Sequence, residues 1–278
     1  IDNNCNAAVD ENCNKDGDQF CDAKLTVVGT PLVCTLGGGD CNDADALVSP
    51  AGNETCNNKD DNCNGKYDEV IERANAFVRE IQVGSDGSVA RNKDEFGGSG
   101  YGKHKRPDLS NTTFLIEALR AAVASADDEA IQRALVFVSR SQNLESEHNS
   151  TKFAPKINDG GFYYTPAAGG TSQAGETANG GLRSYASMTY AGLKSMIYAG
   201  VDRDDQRVKA ALSWIRKNYD VSENPGMGAS GHYYYLHTFA KTLRALEIDE
   251  VQSADGQRHN WRGDLISELS RRQKRNGS

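Results

Sequence analysis

Ala126-Asp127-Asp128-Glu129-Ala130-Ile131-Gln132-Arg133-Ala134-Leu135-Val136-Phe137-Val138 returns at an offset of 77 residues as Arg203-Asp204-Asp205-Gln206-Arg207-Val208-Lys209-Ala210-Ala211-Leu212-Ser213-Trp214-Ile215. The same offset carries Arg106 onto Arg183, Ser110 onto Ser187 and Thr112 onto Thr189, so a whole helix pair is duplicated. Stacked helix pairs bury a continuous core that no single pair could. Helical spacing of apolar residues recurs elsewhere after Val70, as in Phe114, Ala118, Leu119 and Ala122, or Leu236, Phe239, Ala240, Leu243 and Leu246. Seven helices are predicted near 70–82, 111–124, 128–142, 184–200, 205–219, 232–247 and 261–273, with Gly-rich and Asn-rich loops between them. The fold class is mainly α.

The front of the 278-residue chain is different in kind. Residues 1–69 are dominated by Asp, Asn, Cys and Gly and bury little core, which sets a boundary near Glu69 and a second domain over 70–278. All seven cysteines, Cys5, Cys13, Cys21, Cys34, Cys41, Cys56 and Cys63, lie in the front segment. Such density in a coreless segment reads as a disulfide framework, which persists in an oxidising compartment: extracellular, periplasmic or at the cell surface. The alternative is a cytosolic zinc site, and the interleaving of Cys with carboxylates and amides rather than Cys-x-x-Cys pairing speaks against it. The net charge of −8 argues against nucleic-acid binding. No apolar run reaches membrane-spanning length.

The front segment also repeats. Asp2 to Glu11 aligns with Asp60 to Glu69 at an offset of 58. In the second copy Asp60, Asn62, Asn64, Asp68 and Glu69, with Gly65 at the turn, follow the spacing of a calcium loop in its first half; Ile71 stands where an EF-hand carries its bidentate Glu. A second candidate loop offers Asn12, Asn14, Asp16, Asp18 and Asp22, and a third Asp40, Asp43 and Asp45. Clustered hard oxygens prefer Ca²⁺. The plainer alternative is a solvated acidic loop held by disulfides.

These residues resemble the metal-binding repeats (MopE-type) of exported bacterial proteins and of a methanotroph copper-binding surface protein. The resemblance rests on Asp40-Cys41-Asn42-Asp43, Ser49-Pro50-Ala51-Gly52, Glu54-Thr55-Cys56 and Asp60 to Glu69. It implies a cysteine partner seven positions before Cys63, at Cys56; the equivalent partner of Cys5 would precede Ile1, so the odd cysteine count is expected to reflect a truncated amino end. Connectivity otherwise stays open. Copper fits less well than calcium, since no His or Trp precedes His104.

A second resemblance covers roughly residues 70–278. Gln82 to Ser88 and Gln273 to Ser278 are similar to the Gln-x-x-x-Gly turn of the squalene cyclase and prenyltransferase repeat, and Asn158-Asp159-Gly160-Gly161-Phe162 is a related turn. It implies a partial α/α toroid of helix hairpins, cut short at its carboxyl end. The family's chemistry transfers poorly. Asp202-Arg203-Asp204-Asp205 fits the acid motif of the cyclases, but Asp204 and Asp205 align with Asp127 and Asp128, and both pairs read as helix caps. The zinc-binding Cys of protein prenyltransferases and the Gly-Cys-Gly-Glu-Gln stretch of thioester proteins are absent.

What remains is a set of polar and aromatic residues at or before the starts of three helices: His104, Arg106, Asp108 and Asn111; Arg183, Tyr185 and Tyr190; Tyr233, Tyr234, Tyr235 and His237. In a toroid they would face the cavity mouth. His104, Asp108, Arg183, Tyr185 and His237 are then the candidate catalytic residues of an enzyme acting on a polysaccharide or isoprenoid, as polysaccharide lyases on related toroids act. The competing reading makes the tyrosines packing residues and the helical part a scaffold for a polysaccharide or another surface protein. His148, between Glu147 and Asn149, is a lesser candidate in a loop.

Overall fold

The computed structural model describes residues 13–27, 31–55, 57, 59–66, 69–102, 105–122 and 124–274, the side chains of Glu69 and Val70 excepted. The chain divides into two compact units, Ile1–Ala76 and Phe77–Ser278.

The first unit has almost no apolar interior, so covalent links and short backbone pairings take its place. Strands β1 (Phe20–Asp22) and β2 (Gly37–Asp40) run parallel, in register Phe20 to Gly37 and Cys21 to Gly38, with an irregularity before Asp22 meets Asp40. A disulfide from Cys21 to Cys34 closes the connection between the strands, and a second joins Cys41 to Cys63. The expected partner of Cys63, Cys56, is therefore corrected to Cys41; Cys56 itself lies outside the described residues. Crossing 22 residues rather than seven, this bond ties the end of β2 to the Asp60 loop. Its buried apolar cluster is Cys13, Cys21 and Cys34 with Val27 packed against them, and Phe20 and Val48 are buried besides.

The second unit is mainly α. Helix α1 (Glu69–Glu80), which begins in the first unit and ends in the second, together with α2 (Leu109–Ala121), α3 (Glu129–Arg140), α5 (Ala186–Tyr198), α6 (Gln206–Lys217), α7 (His232–Ala245) and α8 (Trp261–Arg272), occupies the seven predicted places. A four-residue helix, α4 (Ala154–Ile157), and a two-residue hairpin of β3 (Val251–Gln252) with β4 (Arg258–His259) are additional. Helices α2, α5 and α7 pack side by side, α3 lies against α2 and α5, and α6 against α5. The central helix α5 is buried without interruption from Ala186 to Met196, as a helix walled by neighbours must be. Tyr190, Tyr235, Phe239 and Trp261 form an aromatic chain with ring centroids 5.1 to 5.8 Å apart.

The duplication is reproduced bond for bond. Gln82 Nε2 donates to the carbonyls of Gly97 (2.9 Å) and Ala130 (2.8 Å), and Gln142 Nε2 donates to those of Gly160 (2.9 Å) and Arg207 (2.8 Å). Ala130 and Arg207 are one repeat offset apart. The backbone N–H of Ser99 donates to Thr112 Oγ1 and that of Phe162 to Thr189 Oγ1, each at 3.0 Å. Asp128 and Asp205 cap α3 and α6 by accepting from the N–H of Ala130 and Arg207, so the repeated acidic pairs do end in helix caps.

Candidate metal centre

The N–H of Asp22 donates to the Cys13 carbonyl, which folds the loop before β1 back along that strand to the loop after β2, and the carboxylates of Asp16, Asp40 and Asp43 meet there with Asp18 nearby. Each gives one oxygen to the backbone. Asp16 Oδ1 accepts from Asp18 N (3.3 Å), Asp18 Oδ1 from Phe20 N (2.8 Å), Asp40 Oδ1 from Asn42 N (2.8 Å) and Asp43 Oδ1 from Lys15 N (2.8 Å). The last of these joins the two loops directly across 28 residues. The second oxygens of Asp16, Asp18 and Asp40 are buried and have no hydrogen-bond partner among the described residues, and Asp43 Oδ2 is met by the Lys15 ammonium at 3.2 Å without hydrogen-bond alignment. Oxygens of Asp16, Asp40 and Asp43 lie within 4.8 Å of one another.

This is an arrangement that repels itself. Asp40 is fully buried and Asp43 nearly so. Burial drives the Asp40 carboxyl above the ordinary carboxylate range; the Asn42 N–H opposes this, and the charges of Asp18, Asp16 and Asp43 add to it. Buried carboxylates with orphaned oxygens are costly unless a cation joins them, so the residues present fit a hard divalent ion. The sulfurs of Cys41 and Cys63 come near Asp40 as well, but they are bonded to each other and are not thiolate donors.

The other candidate oxygens go elsewhere. Asn14 holds its own turn, accepting from Gly17 N (2.7 Å) and donating to the Val33 carbonyl (2.6 Å). Asp22 accepts from Lys24 N, and Asp45 faces Lys59 at 3.6 Å. In the Asp60 loop, Asp60 accepts from the N–H groups of Asn64 (3.0 Å) and Gly65 (2.7 Å), Asn62 from Asn64 and Asn64 from Lys66. Gly65 makes the turn with φ +84°, the left-handed region that glycine enters freely. Asn12, Asp68 and the Glu69 side chain lie outside the described residues. Asp61, not among the candidates, is the anchor of this stretch. Hydrogen bonds from Asn57 and Thr55 hold its carboxyl below the ordinary range, and its carbonyl passes so close to Gly52 that a Cβ there would sit 2.1 Å from the oxygen.

In the helical unit the described members of the predicted catalytic set have different surroundings, two buried and two exposed. Asp108 is buried as the cap of α2, accepting from Asn111 N and Nδ2 at 2.9 and 2.8 Å. Tyr185 is buried at the start of α5, where desolvation first, then Tyr164, Tyr234 and Asp108, push its phenol upward. Arg183 is exposed and donates to the Glu176 carbonyl, and His237 is exposed on α7. Among the described residues no hydrogen bond or ion pair links Arg183, Tyr185 and His237; His104 lies outside them. No helix among the described residues is long and apolar enough to cross a membrane.

No curated protein and no solved structure matches the chain. A family model does match at the front: residues 1–11 and 40–69 are similar to the MopE type of metal-binding motif, named for copper binding, so that Asp40 and Asp43 fall inside the matched residues and Asp16 and Asp18 between them.

Proposed function

We propose that the protein is an exported calcium-binding protein whose front unit holds the ion between Asp16, Asp18, Asp40 and Asp43. The observation that carries the reading is the division of labour within each carboxylate, one oxygen committed to a backbone N–H and the other buried without a hydrogen bond, with oxygens of Asp16, Asp40 and Asp43 within 4.8 Å of one another. All-carboxylate oxygen donors favour Ca²⁺ over copper or zinc, which take imidazole and thiolate more readily; no His precedes position 104. Export is supported by two disulfides in a unit that would otherwise have little to hold it together.

The helical unit, on this reading, is a binding scaffold, part of an α/α toroid with α2, α5 and α7 as inner helices, displayed to a polysaccharide or a surface protein. Asp108 and Tyr185 already have structural employment as cap and core, which favours a scaffold over a catalyst of the cyclase or lyase kind acting on an isoprenoid or polysaccharide. The test is calorimetric titration of Ca²⁺, Mg²⁺, Zn²⁺ and Cu²⁺ into the chelator-treated, non-reduced chain. Calcium binding in the micromolar to millimolar range, with a raised unfolding midpoint, is expected. No heat with Ca²⁺, or its displacement by equimolar Zn²⁺ or Cu²⁺, would overturn the assignment.

A further inference from the structure

Apart from the candidate metal centre, three arginines, Arg91, Arg140 and Arg207, line a cavity of about 390 Å³ on one face of α3. Gln132, Leu135, Val136, Ser139 and Arg140 form its floor, spaced three and four residues apart as one helix face requires. Arg91 closes one side, Glu147, His148 and Ser150 another, and Arg207 in the first turn of α6 the third.

Arg140 is the unusual member. Its side chain is buried, and its two hydrogen bonds among the described residues go to backbone carbonyls, from Nη1 to Lys93 (2.6 Å) and from Nη2 to Arg91 (2.7 Å). A guanidinium has five N–H groups, and none of the ion pairs among the described residues gives this one a carboxylate. Arg79, Arg133, Arg207 and Arg271 each have one, on Asp128, Glu129, Asp205 and Glu268. Burial lowers the Arg140 pKa, with the more distant Asp94 and Glu95 opposing and Arg91 adding to the fall. A buried cation beside a like charge is stabilised by whatever anion can reach it.

The rest of the wall suits an anion. Arg207 forks onto Asp205 through Nε and Nη2 and donates from Nη1 to Ser139 Oγ at 3.0 Å, which fixes that hydroxyl in place. The acidic residue lining the cavity is Glu147, which is 81% exposed and 3.7 Å from His148 Nε2; Asp205 is matched by Arg207, and Asp94 and Glu95 act on Arg140 from outside the lining. The cavity exceeds what a lone ion needs and falls in the size range of small-ligand sites.

We propose that this cavity is an oxyanion site for a sulfate or phosphate ester group carried on a sugar-sized ligand, with Arg140 and Arg91 supplying the charge that holds it. The free ion and the esterified sugar share that chemistry, and the experiment separates them. Inorganic sulfate, inorganic phosphate, glucose 6-sulfate, glucose 6-phosphate and glucuronate are titrated calorimetrically into the full chain at constant ionic strength set by chloride. The expected result is binding of the tetrahedral anions, tighter for the sugar esters than for the bare ions and weaker for glucuronate. Arg91→Ala should weaken binding about tenfold and Glu147→Gln should tighten it a few-fold, as charge-assisted contacts require. Arg140→Gln should abolish it; if that variant does not fold, Arg91→Ala and Glu147→Gln still decide. Absence of binding above the chloride background, or unchanged affinity in Arg91→Ala, would overturn the proposal.

Discussion

A carboxylate with one oxygen fastened to the backbone and the other left over is a residue positioned for something outside the chain. Asp40 is the extreme case, fully buried and pressed on by three neighbouring charges. Asp40→Asn should therefore lower calcium affinity about tenfold or more, because ligand charge count tunes such sites, while Asp45→Asn, at an oxygen turned toward Lys59, should change it only a few-fold; calorimetry on the two variants separates them. A second buried charge has its partners inside the protein. Glu117 on α2 is gripped by Lys194 of α5 and by Lys241 of α7 at 2.7 Å. Burial works to raise the Glu117 carboxyl, but hydrogen bonds and charge from both lysines win and hold it low, whereas burial outweighs Glu117 at Lys194 and lowers the ammonium. The net gain from such a pair is small and the loss on breaking it large. Lys194→Met alone should destabilise by roughly 3 kcal/mol, and the double variant Glu117→Leu/Lys194→Met by less, a comparison that urea unfolding can make.

At the scale of elements, the recurring device is a glutamine that ends one helix region and clamps the start of another. Gln142 spans the Gly160 turn and the first residues of α6 as Gln82 spans the Gly97 turn and the first residues of α3. Gln142→Ala takes the side-chain donor from the Gly160 carbonyl and from the Arg207 carbonyl, which keeps its helical N–H, and should cost about 1 to 3 kcal/mol in chemical denaturation, with helix content unchanged before the transition. The last helix adds charge to its apolar anchor at Trp261. Arg271 and Arg272 hold the Glu268 carboxyl down to about 2 from an ordinary 4.5. A carboxylate depressed in the folded state contributes stability that is full above its unfolded pKa and lost as pH falls through its folded one. Acid should thus loosen α8 between about pH 4.5 and pH 2, and Glu268→Gln should flatten the stability profile over that interval. Helices were legible from sequence because apolar spacing and capping Asp residues are local signals. The short α4, begun with Pro155 in its first turn, and the two-residue strands of the β3–β4 hairpin had too few residues to show a period. The four carboxylates of the metal centre stood among the candidates, yet spacing alone gave equal standing to the Asp60 loop. Their convergence depends on the loop before β1 folding back along that strand and bonding through Lys15 to Asp43, a contact between segments that local pattern does not display. The Arg140 cavity was invisible for a related reason, since a basic residue in a last helical turn reads as one that complements the helix dipole until the 91–93 loop is seen to cover it.

Across the whole molecule, two units are stabilised by different means, and this makes them separable by chemistry. The helical unit rests on an apolar and aromatic interior that runs from Leu109 to Trp261 and contains no cysteine. The front unit has little such interior, and its candidate cation loops flank strands whose connection is closed by Cys21–Cys34 and anchored by Cys41–Cys63. Closing loops of 13 and 22 residues contributes about 3 kcal/mol each by restricting the unfolded chain, which for a small unit is most of its stability. A thiol reductant should therefore abolish calcium binding while leaving the helical circular dichroism and its cooperative thermal transition in place. Calcium added before the reductant should slow the loss, because ion and disulfides stabilise the same pairing of loops. Calcium binding that survives full reduction would mean that the carboxylates converge without the disulfides. Collapse of the helical signal on reduction would mean that the front unit supports the helices as well as the ion.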